Sequence, residues 1–243
     1  MPHILDTILF DLDGTLLQFS QDEFINVYFG KLGKVFARMD MDAEMSINAV
    51  WAGTKAMILN DGSRTNAERF WIAFAENLGL TEEQRGRVEA ACDGFYTNEF
   101  DAVKSVVRPN DISKRLVRAL AAKGYDVVLA TNPLFPACAV TTRLSWAGLE
   151  PRDFIYITHY ANSTYCKPNP GYYREILAKL NKSPEQCIMV GNNPVEDMAA
   201  GALGTETFLV TDCLENEVAA DITAFRRGTL AELEKYLLKL DRT

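Results

Sequence analysis

Short apolar runs punctuate the chain at wide intervals: Thr7–Phe10, Asp126–Ala130, Phe154–Ile157, Cys187–Val190 and Thr207–Val210. Each carries β-branched or aromatic residues with turn formers close by, which predicts buried parallel strands. Helical segments with readable ends separate the later runs. Asn110 or Asp111 caps a stretch ending near Lys123, where Gly124 stops it. Asn169 followed by Pro170 opens a helix to Leu180, and Ser183-Pro184-Glu185 repeats that chemistry for a short turn. Thr229 and Glu232 stand at capping-box spacing before a helix to Leu240. Strand alternating with helix predicts an α/β fold with a doubly wound, Rossmann-like parallel sheet.

From about Leu17 to Val107 the period changes. No strand pattern is visible, and four helices are predicted over Asp22–Met39, Asp42–Leu59, Asn66–Leu78 and Glu82–Phe100, with Thr81 and Gln84 boxing the last. A connection of roughly ninety residues is far longer than a normal crossover. The chain therefore divides into a catalytic core of residues 1–16 and 108–243 and an inserted α-helical cap of residues 17–107. Gly53, Gly62 and Ser63 fall at expected helix ends, where a loop could approach a site.

Composition narrows the classes. The 243 residues are 48% hydrophobic and 24% charged, ordinary for a globular protein with its own core. A net charge of -8 works against nucleic acid and anionic membranes as partners. Five scattered cysteines without a CxxC pair argue against a disulfide framework or zinc site and fit a reducing cytoplasm. Met1 to Leu5 lacks the opening of a signal peptide, and no apolar run approaches the ~18 residues of a membrane span. His3 and His159 form no metal or triad pattern, and Tyr156, Tyr160, Tyr172 and Tyr173 read as packing or surface residues.

The chemistry gathers at Asp11-Leu12-Asp13-Gly14-Thr15, directly after the first apolar run. Carboxylates at the C-terminal end of a strand sit where open α/β sheets bind ligands. Asp11 and Asp13 project from the same side of extended backbone, and Gly14 lets the chain turn away. Acids crowded in this way repel unless a cation lies between them, which points to Mg2+.

Here the chain resembles the haloacid dehalogenase superfamily of phosphohydrolases, whose first motif is DxDGT, in the branch with an inserted helical (C1-type) cap. Thr131 in Leu129-Ala130-Thr131-Asn132 matches the second motif and Lys167 in Cys166-Lys167-Pro168 the third. Gly191-Asn192-Asn193-Pro194-Val195-Glu196-Asp197 stands where the fourth, acidic motif belongs. The resemblance implies a phosphomonoester hydrolase working on a small phosphorylated metabolite. Asp11 would attack phosphorus and carry an aspartyl phosphate. Asp13 would be the general acid and base. Thr131, Asn132 and Lys167 would hold the phosphoryl oxygens. Asp11, Asp13 through its carbonyl, and Asn192 would bind the metal, with Asp197 as a further ligand or the anchor of Lys167; Glu196 is a weaker candidate. True dehalogenases lack an acid two positions after the nucleophile, so Asp13 disfavours dehalogenation.

Asn192 departs from the family pattern, which has aspartate there. An amide oxygen ligates magnesium without a formal charge, so metal affinity should fall. In the cap, Trp51 could stack on a substrate ring, Lys55 and Arg64 could grip an anionic group, and Phe19 would stand near the entrance. A phosphomutase using the same intermediate and a catalytically silent binding protein of the same fold are the alternatives.

Overall fold

Alternate side chains of the first strand face opposite layers, and both layers are apolar, so this strand is buried from both sides. In the computed structural model, which describes residues 5–240, β1 (Thr7–Phe10) is covered along its whole length. The other strands are β2 (Asp126–Leu129), β3 (Tyr156–Ile157), β4 (Cys187–Gly191), β5 (Glu206–Val210) and β6 (Arg227–Gly228). They join β1 in one parallel sheet of order β3-β2-β1-β4-β5-β6.

Helices α1 (Gln21–Arg38), α2 (Ala43–Ile58), α3 (Asn66–Leu78) and α4 (Glu82–Asn98) precede β2, and α5 (Asp111–Ala122) leads into it. Helices α6 (Ala137–Trp146), α7 (Pro170–Leu180) and α8 (Leu230–Lys239) follow. Ile8 and Phe10 share one buried cluster with Leu116 and Leu120 of α5 and Leu233 and Leu237 of α8. Leu9 belongs to a second cluster with Tyr172, Tyr173 and Ile176 of α7. Helices thus cover both faces, and the fold is the Rossmann-like α/β sheet expected. No helix among the described residues is long and apolar enough to cross a membrane.

The capping chemistry reads as anticipated at several ends. Asn110 accepts from Ile112 N at 2.9 Å, and Thr81–Gln84 and Thr229–Glu232 form complete capping boxes. Three differences have physical causes. The third strand is only Tyr156–Ile157, because it lies at the sheet edge and Phe154 closes a tight turn with Pro151. Helix α6 has no early signal, since Thr141, Thr142 and Ser145 lower its helix propensity. Strand β6 consists of an arginine and a glycine and carries no apolar signature.

Helices α1 to α4 form the long insertion between β1 and β2. Phe24, Tyr28, Leu32, Val35 and Phe36 make one buried stripe along α1. Gly53 lies inside α2 rather than at its end. A Cβ there would come within 2.5 Å of the Phe70 ring of α3, so the glycine sets the close α2–α3 approach. The chain leaves the core through Gln18 and returns through Arg108, which pair antiparallel, with Arg108 N donating to Gln18 O at 2.8 Å. The buried residues of the insertion run continuously into the cluster on the α5/α8 face of the sheet.

Candidate active site

The loops beyond β1, β2 and β4 converge at the carboxyl ends of adjacent parallel strands, where this topology opens a crevice. Asp11 stays in register, its N–H donating to Val190 O at 2.8 Å, before Gly14 turns the chain at φ +76°. A side chain at 14 would collide with the Asn192 amide, and one at 191 with the Asp197 carboxylate. Both glycines admit a polar side chain that would otherwise be displaced.

Lys167 is the electrostatic centre. Its Nζ donates to Asp11 Oδ1 at 2.8 Å and to Asp197 Oδ1 at 2.6 Å, and all three residues are buried. Charges taken out of water cost several kcal/mol each unless paired and hydrogen-bonded, as these are. Burial works to lower the Lys167 pKa, but Asp11 and Asp197 outweigh it and hold the ammonium protonated above its ordinary value. Burial pushes the Asp11 carboxyl well up; Lys167 pulls it back, and Asp197 and Asp13 raise it again. One lysine does not balance this group of acids.

Thr131 lies two residues beyond β2 at the cleft wall, and its carbonyl accepts from Thr158 Oγ1 at 2.7 Å and Tyr172 OH at 2.9 Å. Asn132 lines the same wall, but its amide is spent on bracing. It accepts from Lys167 N at 3.2 Å and donates to Glu196 Oε2 at 2.9 Å. Tyr173 OH donates to Glu196 O at 2.5 Å, and the Lys167 ammonium lies 5.9 Å from the Tyr172 ring centroid. The two tyrosines are buried supports of the site rather than surface residues, a role that apolar periodicity along α7 does not reveal.

Sequence reasoning missed Arg143. It is fully buried, its Nη1 donates to Asp13 Oδ2, and its guanidinium stacks 4.3 Å from the Phe135 ring centroid. The Arg143 Nε and Nη2 and the Asp13 Oδ1 are buried without a hydrogen-bond partner. The available signal was an arginine on the inward stripe of α6, beside Val140 and Leu144.

Asn192 is buried with a fixed amide. Its Nδ2 must be the group that meets the Cys213 carbonyl, at 2.7 Å, which leaves Oδ1 to accept from Thr15 Oγ1 at 3.1 Å. Asp197 spends Oδ1 on Lys167 and Oδ2 on Asn193 N, so it anchors the lysine. Glu215, also missed, lines the cleft from the loop after β5, its N–H donating to Asn192 O at 3.1 Å. Burial pushes its carboxyl up to about 7.

The cap candidates are dispersed. Trp51 lines an aromatic cavity beside the cleft, edge-on to Phe29 at 5.1 Å between centroids. Lys55 and Arg64 are exposed and line neither that cavity nor the acidic cleft. Both side chains remain in solvent, where their charges are best hydrated. Phe19 is buried and stacks on Phe24 at 5.0 Å, inside the core rather than at an entrance. His159 is turned into its own loop, where its Nδ1 accepts from Ala161 N at 3.3 Å; His3 lies outside the described residues.

Carboxylates and a lysine gathered at the ends of neighbouring parallel strands define the class, an α/β enzyme with a charged cleft at its topological switch point. The chain belongs to the haloacid dehalogenase-like hydrolase family, whose profile matches residues 5–204. A bifunctional riboflavin kinase/FMN phosphatase of Arabidopsis thaliana is 24% identical over 208 residues, 84% of this chain and 48% of that protein, so the chain spans about half of that relative. Among solved structures, a HAD phosphatase from Thermococcus onnurineus superposes with a TM-score of 0.61 at 16% identity, covering 98% of this chain and 100% of the other. CbbY from Rhodobacter sphaeroides, in complex with phosphate, gives 0.62 at 19% identity, with 98% and 100% covered.

Proposed function

We propose that the chain is a magnesium-dependent phosphatase that hydrolyses a small phosphomonoester through an aspartyl phosphate on Asp11, with residues 17–107 as its cap. The observation that carries this is Lys167 clamped between Asp11 and Asp197 at the mouth of the sheet. A buried ammonium beside a strand-end carboxylate aims that carboxylate and offers charge to an arriving phosphoryl group. The phosphatase in the name of the Arabidopsis relative supports the reaction class.

In the first step an Asp11 oxygen bonds to phosphorus while the ester P–O bond breaks, and Asp13 gives its proton to the departing oxygen. In the second, water attacks phosphorus, Asp13 takes its proton, and the acyl phosphate bond breaks to return Asp11 and release phosphate. Arg143 ties Oδ2 of Asp13 and so fixes the orientation of the carboxyl that exchanges the proton. Thr131 and Lys167 face the phosphoryl oxygens, and Asp197 keeps the lysine in place.

The residues fit a hard divalent cation. Asp11, Asp13, Glu196, Asp197 and Glu215 put five carboxylates around the cleft, against Lys167 and Arg143. That imbalance would repel a phosphate dianion unless further positive charge is present. No cluster of three or more acidic, histidine or cysteine side chains among the described residues forms a closed metal cage. Magnesium tolerates this, since it is commonly held by one or two carboxylates together with water and substrate phosphate oxygens. Asp11, the Asp13 carbonyl and the Asn192 amide oxygen would hold it, with Glu215 as a further oxygen donor. Bound there, it would neutralise the phosphate and let the two anions meet. Unpaired thiols at all five cysteines suit a reducing, cytoplasmic setting.

The test is release of phosphate from 4-nitrophenyl phosphate with and without magnesium, beside Asp11→Asn. Metal-dependent turnover abolished by the substitution is expected; turnover that survives it overturns the assignment of the nucleophile.

A further inference from the structure

Beside the acidic cleft, and opening into it, the helical insertion encloses a cavity of about 120 Å³. Asp13, Gln21, Leu134 and Phe135 line both spaces, so a group bonded to phosphorus at Asp11 extends past Asp13 into the cavity. Its walls are aromatic side chains from the insertion and from the loop after β2, among them Phe24, Tyr28, Trp71, Phe74 and Phe135. No lysine, arginine or histidine lines it, and its charged residues are Asp13 and Asp93. Some polar groups on the wall are engaged, while Trp71 Nε1 and Asp13 Oδ1 are buried without a partner. Tyr28 and Tyr96 hydroxyls bond to each other at 2.6 Å, and Thr54 Oγ1 donates to Val50 O at 2.9 Å.

These features select a ligand. A second phosphate or a carboxylate would meet Asp93 and Asp13, whose partner Arg143 does not line the cavity, and would lose its hydration without gaining a cation. A polyhydroxylated sugar would leave most of its hydroxyls without partners. A benzene ring fits an engineered apolar cavity of about 150 Å³, so the space here is of roughly single-ring size. Aromatic walls favour a ring through offset and edge-on packing. We propose that this cavity seats the leaving group, and that the substrate is the phosphomonoester of a compact, uncharged, single-ring alcohol or phenol. This rests on reading the chain as a phosphatase.

Binding of stable phosphonates tests the cavity separately from turnover. With magnesium present, phenylphosphonate, methylphosphonate and phosphonoacetate are titrated by calorimetry against the full chain. Phenylphosphonate should bind at least roughly tenfold tighter than methylphosphonate, from the apolar area the ring buries. Phosphonoacetate should gain nothing over methylphosphonate. Val50→Phe, which fills the cavity, should erase the phenyl preference and leave methylphosphonate binding unchanged; Thr54→Leu serves the same purpose if the larger ring prevents folding. Equal affinities, tightest binding of phosphonoacetate, or no binding of phenylphosphonate overturns the proposal. Brisk hydrolysis of ring-free esters alongside any of those results would leave the phosphatase reading standing without it. Phenyl-selective binding without hydrolysis of any ester would do the reverse.

Discussion

Arg143 and Asp13 form an ion pair in which the partners differ sharply in exposure: the Arg143 side chain is 0% accessible and that of Asp13 26%. The consequences of breaking it are therefore unequal. Asp13→Ala strands a guanidinium in the interior and should cost about 3 kcal/mol or more. Arg143→Met leaves a carboxylate that water can reach, and should cost about 1–2 kcal/mol. Urea midpoints of the two variants check the order, and both should lose activity.

Lys167 serves two carboxylates, so its removal should cost more activity than the removal of Asp197. Lys167→Met should lower kcat by roughly 10²–10³-fold, the scale of losing one preorganised charge. Asp197→Asn leaves the 2.8 Å bond from Lys167 to Asp11 in place and should be milder. Steady-state kinetics on one aryl phosphate ranks them.

Asn192→Asp should have opposite effects with and without metal. Aspartate cannot donate to the Cys213 carbonyl, so the metal-free protein should lose about 1 kcal/mol of stability. The added charge should tighten manganese binding by roughly tenfold. Electron paramagnetic resonance titration reads the second effect and thermal melts without metal the first. A variant unchanged in both would mean that Asn192 does not face the cation.

The cysteines should separate by reactivity. Burial pushes the Cys92 and Cys166 thiols up to about 12. At pH 8 only roughly one in ten thousand of either is thiolate, the nucleophilic form. Cys138 is exposed and should be the first alkylated in the folded protein, followed over time by mass spectrometry. Raising the pH through 9 should speed Cys138 and leave Cys92 protected until the chain unfolds.

The sheet was readable because its strands are buried on both faces, and such strands announce themselves as unbroken apolar runs. Asp11, Thr131 and Lys167 follow from their places at the ends of those runs and in the turn before α7. Arg143 and Glu215 were not readable in the same way. Each comes from a segment without a motif, and each matters only because folding brings it across more than a hundred residues or across the sheet to an acid near Gly14. Lys55 and Arg64 show the converse. Charge and position in the insertion suggest binding, but helical phase turns Lys55 to water, and Arg64 lies on the exposed loop between α2 and α3. Gly53 looks like a helix end in the sequence because its function, admitting Phe70, belongs to a partner helix that local sequence does not specify.

Gln18 and Arg108 lie within one hydrogen bond of each other, although some ninety residues separate them. To the sheet, everything between them is a loop, however large. The closure entropy of such a loop grows only with the logarithm of its length. Connectivity alone therefore sets little limit on the length of the insert, and it is the shared buried cluster that ties the insert to the strands beneath. The chain crosses between the two at that single doorway, yet Asn66 also ties the insert to the loops after β2 and β3, so what enters the cleft is shaped by both stretches of the gene.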